Sequence, residues 1–172
     1  MASGDRAAFG VVFDRYAPAA LRYARRLVRD PSAAEDAVHA AFVRLLEASR
    51  SGGLRADRGT LRGLLFRTVR NLCIDWIRVR ARDVSLDGRD KDDGTAGSGD
   101  TRLDLEAALA GLPEDHRSAL LLRVDAGLSY AEISSALGAS LSQVRMWIFR
   151  ARRALAERML GEPKPEEVGR VV

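Results

Sequence analysis

Between Ser140 and Arg158 the chain places Ser140, Ser142, Gln143, Arg145, Arg150, Arg152, Arg153 and Arg158 among apolar residues at helical spacing. A guanidinium donates two parallel hydrogen bonds to phosphate or to the guanine edge, and a glutamine amide can pair with adenine. A helix with these types on its outer side therefore suits contact with duplex nucleic acid. A second set, Arg62, Arg67, Arg70, Arg78 and Arg80, is threaded through another apolar run that includes Trp76. Arginines of that kind can follow the phosphates of a single strand while planar groups stack on an exposed base. Covalent chemistry has no such support. No Ser-His-Asp arrangement, nucleophile elbow, phosphate-cradling glycine loop or paired-carboxylate motif stands out, so no catalytic residues and no enzyme activity are expected. With Cys73 as the single cysteine and His39 and His116 as the only histidines, neither a disulfide framework nor a metal site is expected, and no cofactor. The Asp90–Gly94 cluster lacks the spacing of a calcium loop.

Charge supports the same reading. Lys and Arg number 28 against 24 acids, a net charge of +4, and lysine occurs only at Lys91 and Lys164. Residues 54–82 carry eight arginines against Asp57 and Asp75, whereas 83–100 carry six aspartates against Arg89 and Lys91 and are rich in Gly and Ser. Two basic surfaces on either side of an acidic tether are the layout of a bipartite binder. No apolar run approaches a membrane span and the first residues lack a signal-peptide pattern, so a cytoplasmic setting with no direct membrane insertion is expected.

The elements that must position these residues are helices. Ser32 with Glu35, Ser129 with Glu132 and Ser140 with Gln143 each have the spacing of a capping box. After Ser32 the stripe Ala37, Val38, Ala41, Phe42, Leu45 and Leu46 faces a core, and after Thr60 the stripe is Leu61, Leu64, Leu65, Val69, Leu72, Trp76 and Ile77. That second stripe leaves Arg62, Arg67, Arg70, Arg78 and Arg80 on the open side. An earlier helix over about 5–29 has Phe9, Val12, Phe13, Tyr16, Leu21 and Leu27 as core, with Pro18 placed to kink it. Further on, Gly127, Ser129 and Gly138 punctuate two short helices whose core is Leu128, Ile133, Leu137, Val144 and Ile148, the pattern of a helix-turn-helix. The expectation is an all-α chain of two small helical domains, 1–82 and 101–160, joined by a flexible acidic linker at 83–100 and followed by a tail at 161–172.

Three blocks, DPSAAEDAVHAAFVRLLEA (30–48), TLRGLLFRTVRNLCIDWIRVRAR (60–82) and LPEDHRSALLLRVDAGLSYAEISSALGASLSQVRMWIFRARRAL (112–155), together resemble the bacterial extracytoplasmic-function (ECF) RNA polymerase sigma factors. The resemblance implies a factor that binds core RNA polymerase and directs promoter-specific transcription initiation. It assigns Glu35, Asp36, Val38 and Phe42 to polymerase contact. Arg62, Arg67, Arg70, Asn71 and Arg78, with the loop before Thr60, fall to recognition and melting of the upstream hexamer, including its melted non-template strand. Ser140, Ser142, Gln143, Arg145, Met146, Phe149, Arg150 and Arg152 would read the distal element of promoter DNA as duplex. It further implies that the linker runs through the polymerase's channels, and it leaves an anti-sigma factor open as a partner. The chain departs from the family pattern at His39, where glutamine is usual, and at Met146, Trp147 and Phe149, which stand where small or polar groups are common. Two alternatives stay open: a conventional helix-turn-helix regulator that binds duplex DNA without polymerase, which leaves 60–82 without a role, and a protein-binding module docked through Met146, Trp147 and Phe149.

Overall fold

The computed structural model describes residues 3–51, 60–86 and 101–160. Those residues form α1 (Ser3–Val28), α2 (Pro31–Arg50), α3 (Leu61–Leu86), α4 (Thr101–Ala110), α5 (Glu114–Val124), α6 (Tyr130–Leu137) and α7 (Leu141–Leu160), and no strand occurs among them. The loop before Thr60, most of the acidic tether and the tail lie outside the described residues. Helix α3 continues to Leu86, so residues 83–86, expected in the linker, are helical.

Helices α1, α2 and α3 pack on one another. The first ends where Arg29 enters the left-handed region at φ 58°, and the chain turns at once into α2. The cap of α2 is Asp30, whose carboxylate accepts from the Ala33 N–H at 3.0 Å, with Pro31 in the first turn. Ser32 is therefore inside the helix and is not its cap, because proline belongs at the first helical position and the residue before it does the capping. Glu35, the expected partner of Ser32, pairs with Arg25 at 2.8 Å. Helix α1 runs on through Pro18. Its buried residues are Ala20, Tyr23, Ala24, Leu27 and Val28, while Phe13 is exposed and lies 4.8 Å, ring to ring, from Phe42. Tyr23 and Phe66 meet edge to face at 6.0 Å.

Helices α4 to α7 form the second half, in which α5, α6 and α7 pack together and α4 lies on α7. Leu128, Ile133, Val144 and Ile148 are buried, and Leu137 packs against them. Helix α4 carried no capping signal in the sequence. Its C-terminus is closed by Arg158, which donates to the carbonyls of Ala108 and Gly111. The two halves share one apolar core, since α5 packs on α1 and α6 on α3.

Candidate nucleic-acid interface

The turn into α7 is built from local rules. Ser129 accepts from the Glu132 N–H at 3.2 Å while Glu132 accepts from the Ser129 N–H at 2.8 Å, which starts α6 with a full capping box. Gly138 stops it at φ 64°, a conformation that costs an L residue its Cβ clearance. Ser140 and Gln143 repeat the reciprocal pair at 3.2 and 2.8 Å and start α7. The Gln143 side-chain oxygen is thus committed to the cap, and only its amide N–H groups are free for a base.

Along α7, Val144, Ile148 and Ala151 are buried, and Ser142, Met146, Phe149 and Arg153 recur at helical spacing on the opposite side. Arg145 and Arg150 flank that row, and Arg152 is exposed beyond it. Phe149 is 66% exposed and Met146 39%, while Trp147 is half-buried near His116. The single acid on this helix is Glu157, paired with Arg153 at 2.7 Å. Tyr130 sits between two guanidiniums, Arg123 at 5.3 Å and Arg145 at 6.0 Å from its ring. Arg158, grouped by its spacing with the residues suited to nucleic-acid contact, instead clamps α4. Burial, reinforced by the Arg150 charge and opposed by Asp115, lowers the His116 pKa, so its ring is neutral at physiological pH.

Helix α3 divides the second set of residues. Arg67, Asn71, Arg78 and Arg80 are exposed, and Arg80 stacks 5.0 Å over Trp76 while reaching Asp30 at 3.2 Å. Arg62 and Arg70 do not lie on the open side, as their spacing suggested. Arg70 is 15% exposed and holds Glu114 at 3.2 Å and Asp115 at 2.9 Å, both on α5. Arg62 donates to the Gly127 carbonyl and lies 3.4 Å from Glu132. Thr60 also donates to Glu132, at 2.9 Å. Burial works to raise the Glu132 pKa, but hydrogen bonds from Ser129 and Thr60 and the charge of Arg62 prevail and hold the carboxyl below its ordinary value. The stripe of α3 predicted from the sequence is shifted as well: Phe66, Cys73 and Ile74 are buried with Leu65 and Val69, whereas Trp76 and Ile77 are only partly covered.

On α2, Glu35, Asp36, His39 and Val43 are exposed. Val38 and Phe42, two of the four expected polymerase contacts, are core, at 6% and 2% exposure. They lie on the α1 and α3 side of the helix and present no surface.

Two helical units carry the basic helices α3 and α7, each in its expected chain position, and comparison with known proteins agrees. Residues 12–83 match the model of Sigma-70 region 2, and residues 102–155 match that of Sigma-70, region 4. The RNA polymerase sigma-E factor of Streptomyces avermitilis is 32% identical over 163 residues, covering 92% of this chain and 89% of that one. The chain belongs to the sigma-70 family. The RNA polymerase sigma-H factor of Pseudomonas aeruginosa is 30% identical, with 88% and 86% covered. The ECF RNA polymerase sigma factor SigE of Mycolicibacterium smegmatis is 32% identical, and there the alignment spans 91% of this sigma factor but 64% of the relative. Among solved structures, the sigma factor RpoE of Bartonella quintana, in complex with the anti-sigma factor NepR, superposes with a TM-score of 0.73 at 25% identity, covering 90% of this chain and 98% of that one. CnrH in complex with the cytosolic domain of CnrY gives 0.71 at 26% identity, covering 94% and 93%.

Proposed function

We propose that this sigma factor binds core RNA polymerase through the exposed face of α2 and directs promoter-specific initiation by holding two DNA elements at once. Helix α7, entered through the α6 turn, reads the distal element as duplex. Arg145, Arg150 and Arg152 reach phosphates or guanine edges, and Ser142, Met146 and Phe149 face the groove floor. Helix α3 takes the melted strand of the nearer element, with Arg67 and Arg78 on phosphates and Asn71 at a displaced base. Two weak contacts on one polymerase raise each other's effective concentration, so neither needs high affinity alone. The observation that carries this reading is the outer face of α7: Arg145, Arg150, Arg152 and Arg153 are exposed there, with Glu157 as the one acid of the helix. An anti-sigma partner is consistent with the solved RpoE of Bartonella quintana, which is in complex with the anti-sigma factor NepR.

The test is gel-filtration co-elution with bacterial core polymerase, alongside Asp36→Arg. Asp36 is exposed beside Glu35, so its charge reversal leaves the fold intact, and helical content measured by circular dichroism should not change. Stoichiometric co-elution of the wild type, lost in the variant, is the expected result. A wild type that shifts duplex DNA but never co-elutes would make the conventional regulator the better reading.

A further inference from the structure

The end of α1 carries Arg22, Arg25, Arg26 and, one residue past its last turn, Arg29, all exposed and spaced to share one helical face. They form one wall of a cavity of about 580 Å³, a volume within the range of small-molecule sites, and across it stand Leu105 and Leu109 of α4 and the start of α2. Like charges at that spacing repel one another, and the fold answers them only in part. Arg25 pairs with Glu35 at 2.8 Å and Arg26 with Asp125 at 3.0 Å, yet the two guanidinium side chains remain 50% and 40% exposed. Arg22 has only the Asp125 carbonyl, at 3.4 Å, and Arg29 has no ion-pair partner among the described residues. Two acids line the same cavity, Glu106 and Asp30, and the Asp30 carboxylate is already engaged by the Ala33 N–H and by Arg80. The C-terminal dipole of α1 favours basic residues there, but it does not call for four on one face. Arg29 also sits at φ 58°, a conformation that glycine adopts at lower cost, so the chain keeps a guanidinium where the backbone argues against one.

We propose that this cavity binds a small molecule carrying two or more linked phosphates, held along Arg22, Arg25, Arg26 and Arg29, with Leu105 and Leu109 bordering the remainder of the ligand. A guanidinium donates paired N–H groups that match phosphate oxygens, and a multiply charged anion bridges guanidiniums that otherwise repel. The ion pairs already present leave room for it. Arg25 reaches Glu35 through Nη2 alone and Arg26 reaches Asp125 through Nη1 alone, so each keeps further donors of the five that a guanidinium carries. The row extends about 10 Å along the helix axis, which linked phosphates match better than a single one. A recess walled by α1 and α4 suits a compact anion, whereas an extended strand needs the open track that α3 and α7 offer.

The test is isothermal titration calorimetry on the full chain at physiological ionic strength, with inorganic triphosphate, adenosine triphosphate, guanosine triphosphate and orthophosphate as probes. Arg22→Gln together with Arg29→Gln removes two exposed guanidiniums and leaves the Arg25 and Arg26 ion pairs in place. A charge-matched control, Arg15→Gln with Arg50→Gln, makes the same change in net charge at exposed sites off the cavity. Circular dichroism checks that both variants keep the helical content of the wild type. A triphosphate should bind the wild type saturably, one per chain, and orthophosphate far more weakly. The cavity variant should lose about a hundredfold in affinity, roughly tenfold for each charged contact removed, while the control stays within about twofold of the wild type. Tighter binding of either nucleotide than of inorganic triphosphate assigns the leucine side to a nucleoside, and equal binding assigns the ligand to the inorganic polyphosphates. Absence of saturable binding by every triphosphate would overturn the proposal. An equal loss in both variants would overturn it as well, because attraction to net charge would then account for the binding, and so would orthophosphate binding as tightly as triphosphate.

Discussion

Replacing glycine by alanine at two sites should move stability in opposite directions, for one reason. Gly138 closes α6 at φ 64°, whereas Gly10 lies in the interior of α1 with ordinary helical backbone, and a Cβ built at either meets nothing within 4 Å. Packing therefore cancels and only backbone conformation differs. At Gly10, alanine removes the helix-interior penalty of glycine and should stabilise by about 0.5–1 kcal/mol. At Gly138 the left-handed conformation costs an L residue about 1–2 kcal/mol, offset in part by roughly 0.4–1 kcal/mol from the stiffer unfolded chain, for a net loss near 1 kcal/mol. The unfolded-state gain is common to both variants, so the gap between them should be about 1–2 kcal/mol, close to the left-handed strain itself. Urea unfolding followed by far-ultraviolet circular dichroism, with a common slope for both variants, measures the gap. Two variants of equal stability, or a Gly138→Ala chain more stable than Gly10→Ala, would refute the assignment of Gly138 as the conformational hinge of the turn.

Three further outcomes are expected. Ile133→Ala, at a fully buried position of the helix-turn-helix core, should cost about 2–5 kcal/mol in the same urea assay, and a loss below about 1 kcal/mol would mean that the core there is not closed. Burial pushes the Cys73 thiol up to about 12, so at neutral pH a thiol reagent should modify the native chain far more slowly than the urea-unfolded one; equal rates would contradict the packing of α3. The Asp30 carboxyl is held below its ordinary value first by the Ala33 N–H and, against some burial, by Arg80. A depressed folded pKa contributes stability above the ordinary carboxylate range and loses it as pH falls through the folded value. The deficit of Asp30→Ala relative to wild type should accordingly be full at pH 7 and shrink in acid below the ordinary value, and a pH-independent deficit would exclude the charged cap.

The helix-turn-helix was legible because every signal that defines it is local. Its two capping boxes span four residues each, its stop is one glycine, and its stripe from Leu128 to Ile148 follows helical periodicity. The same kind of evidence misplaced the cap of α2 only because Ser32 and Asp30 both have capping chemistry, and Pro31 between them decides in favour of Asp30. Burial on α2 was read correctly from Ala37 to Leu45, and on α3 less well. Periodicity says which residues share a face but not how wide the covered arc is, and on α3, packed against α1, α2 and α6, that arc takes in Phe66 and Ile74 completely. Arg62 and Arg70 were beyond reach for a different reason. Their partners lie 44 to 70 residues away, on helices whose approach to α3 no local pattern encodes.

Glu132 ties the local and long-range levels together. One oxygen of its carboxylate accepts from Thr60, and the other accepts from the Ser129 N–H and lies near Arg62. Thr60 and Arg62 come from the other half of the chain, whereas Ser129 belongs to the same turn. The start of α6 is thus fixed from within its own half, and with it the angle into α7, because Arg123 holds the Leu128 carbonyl at 2.8 Å and Ser134 holds that of Ala139 at 2.5 Å. On the other side Thr60 Oγ1 also accepts from the Gly63 N–H at 3.0 Å, so α3 keeps its own cap. The polar contacts that cross the seam between the halves are additions to helices already closed by their own residues. What joins the halves is therefore the apolar core that α1 and α3 share with α5 and α6.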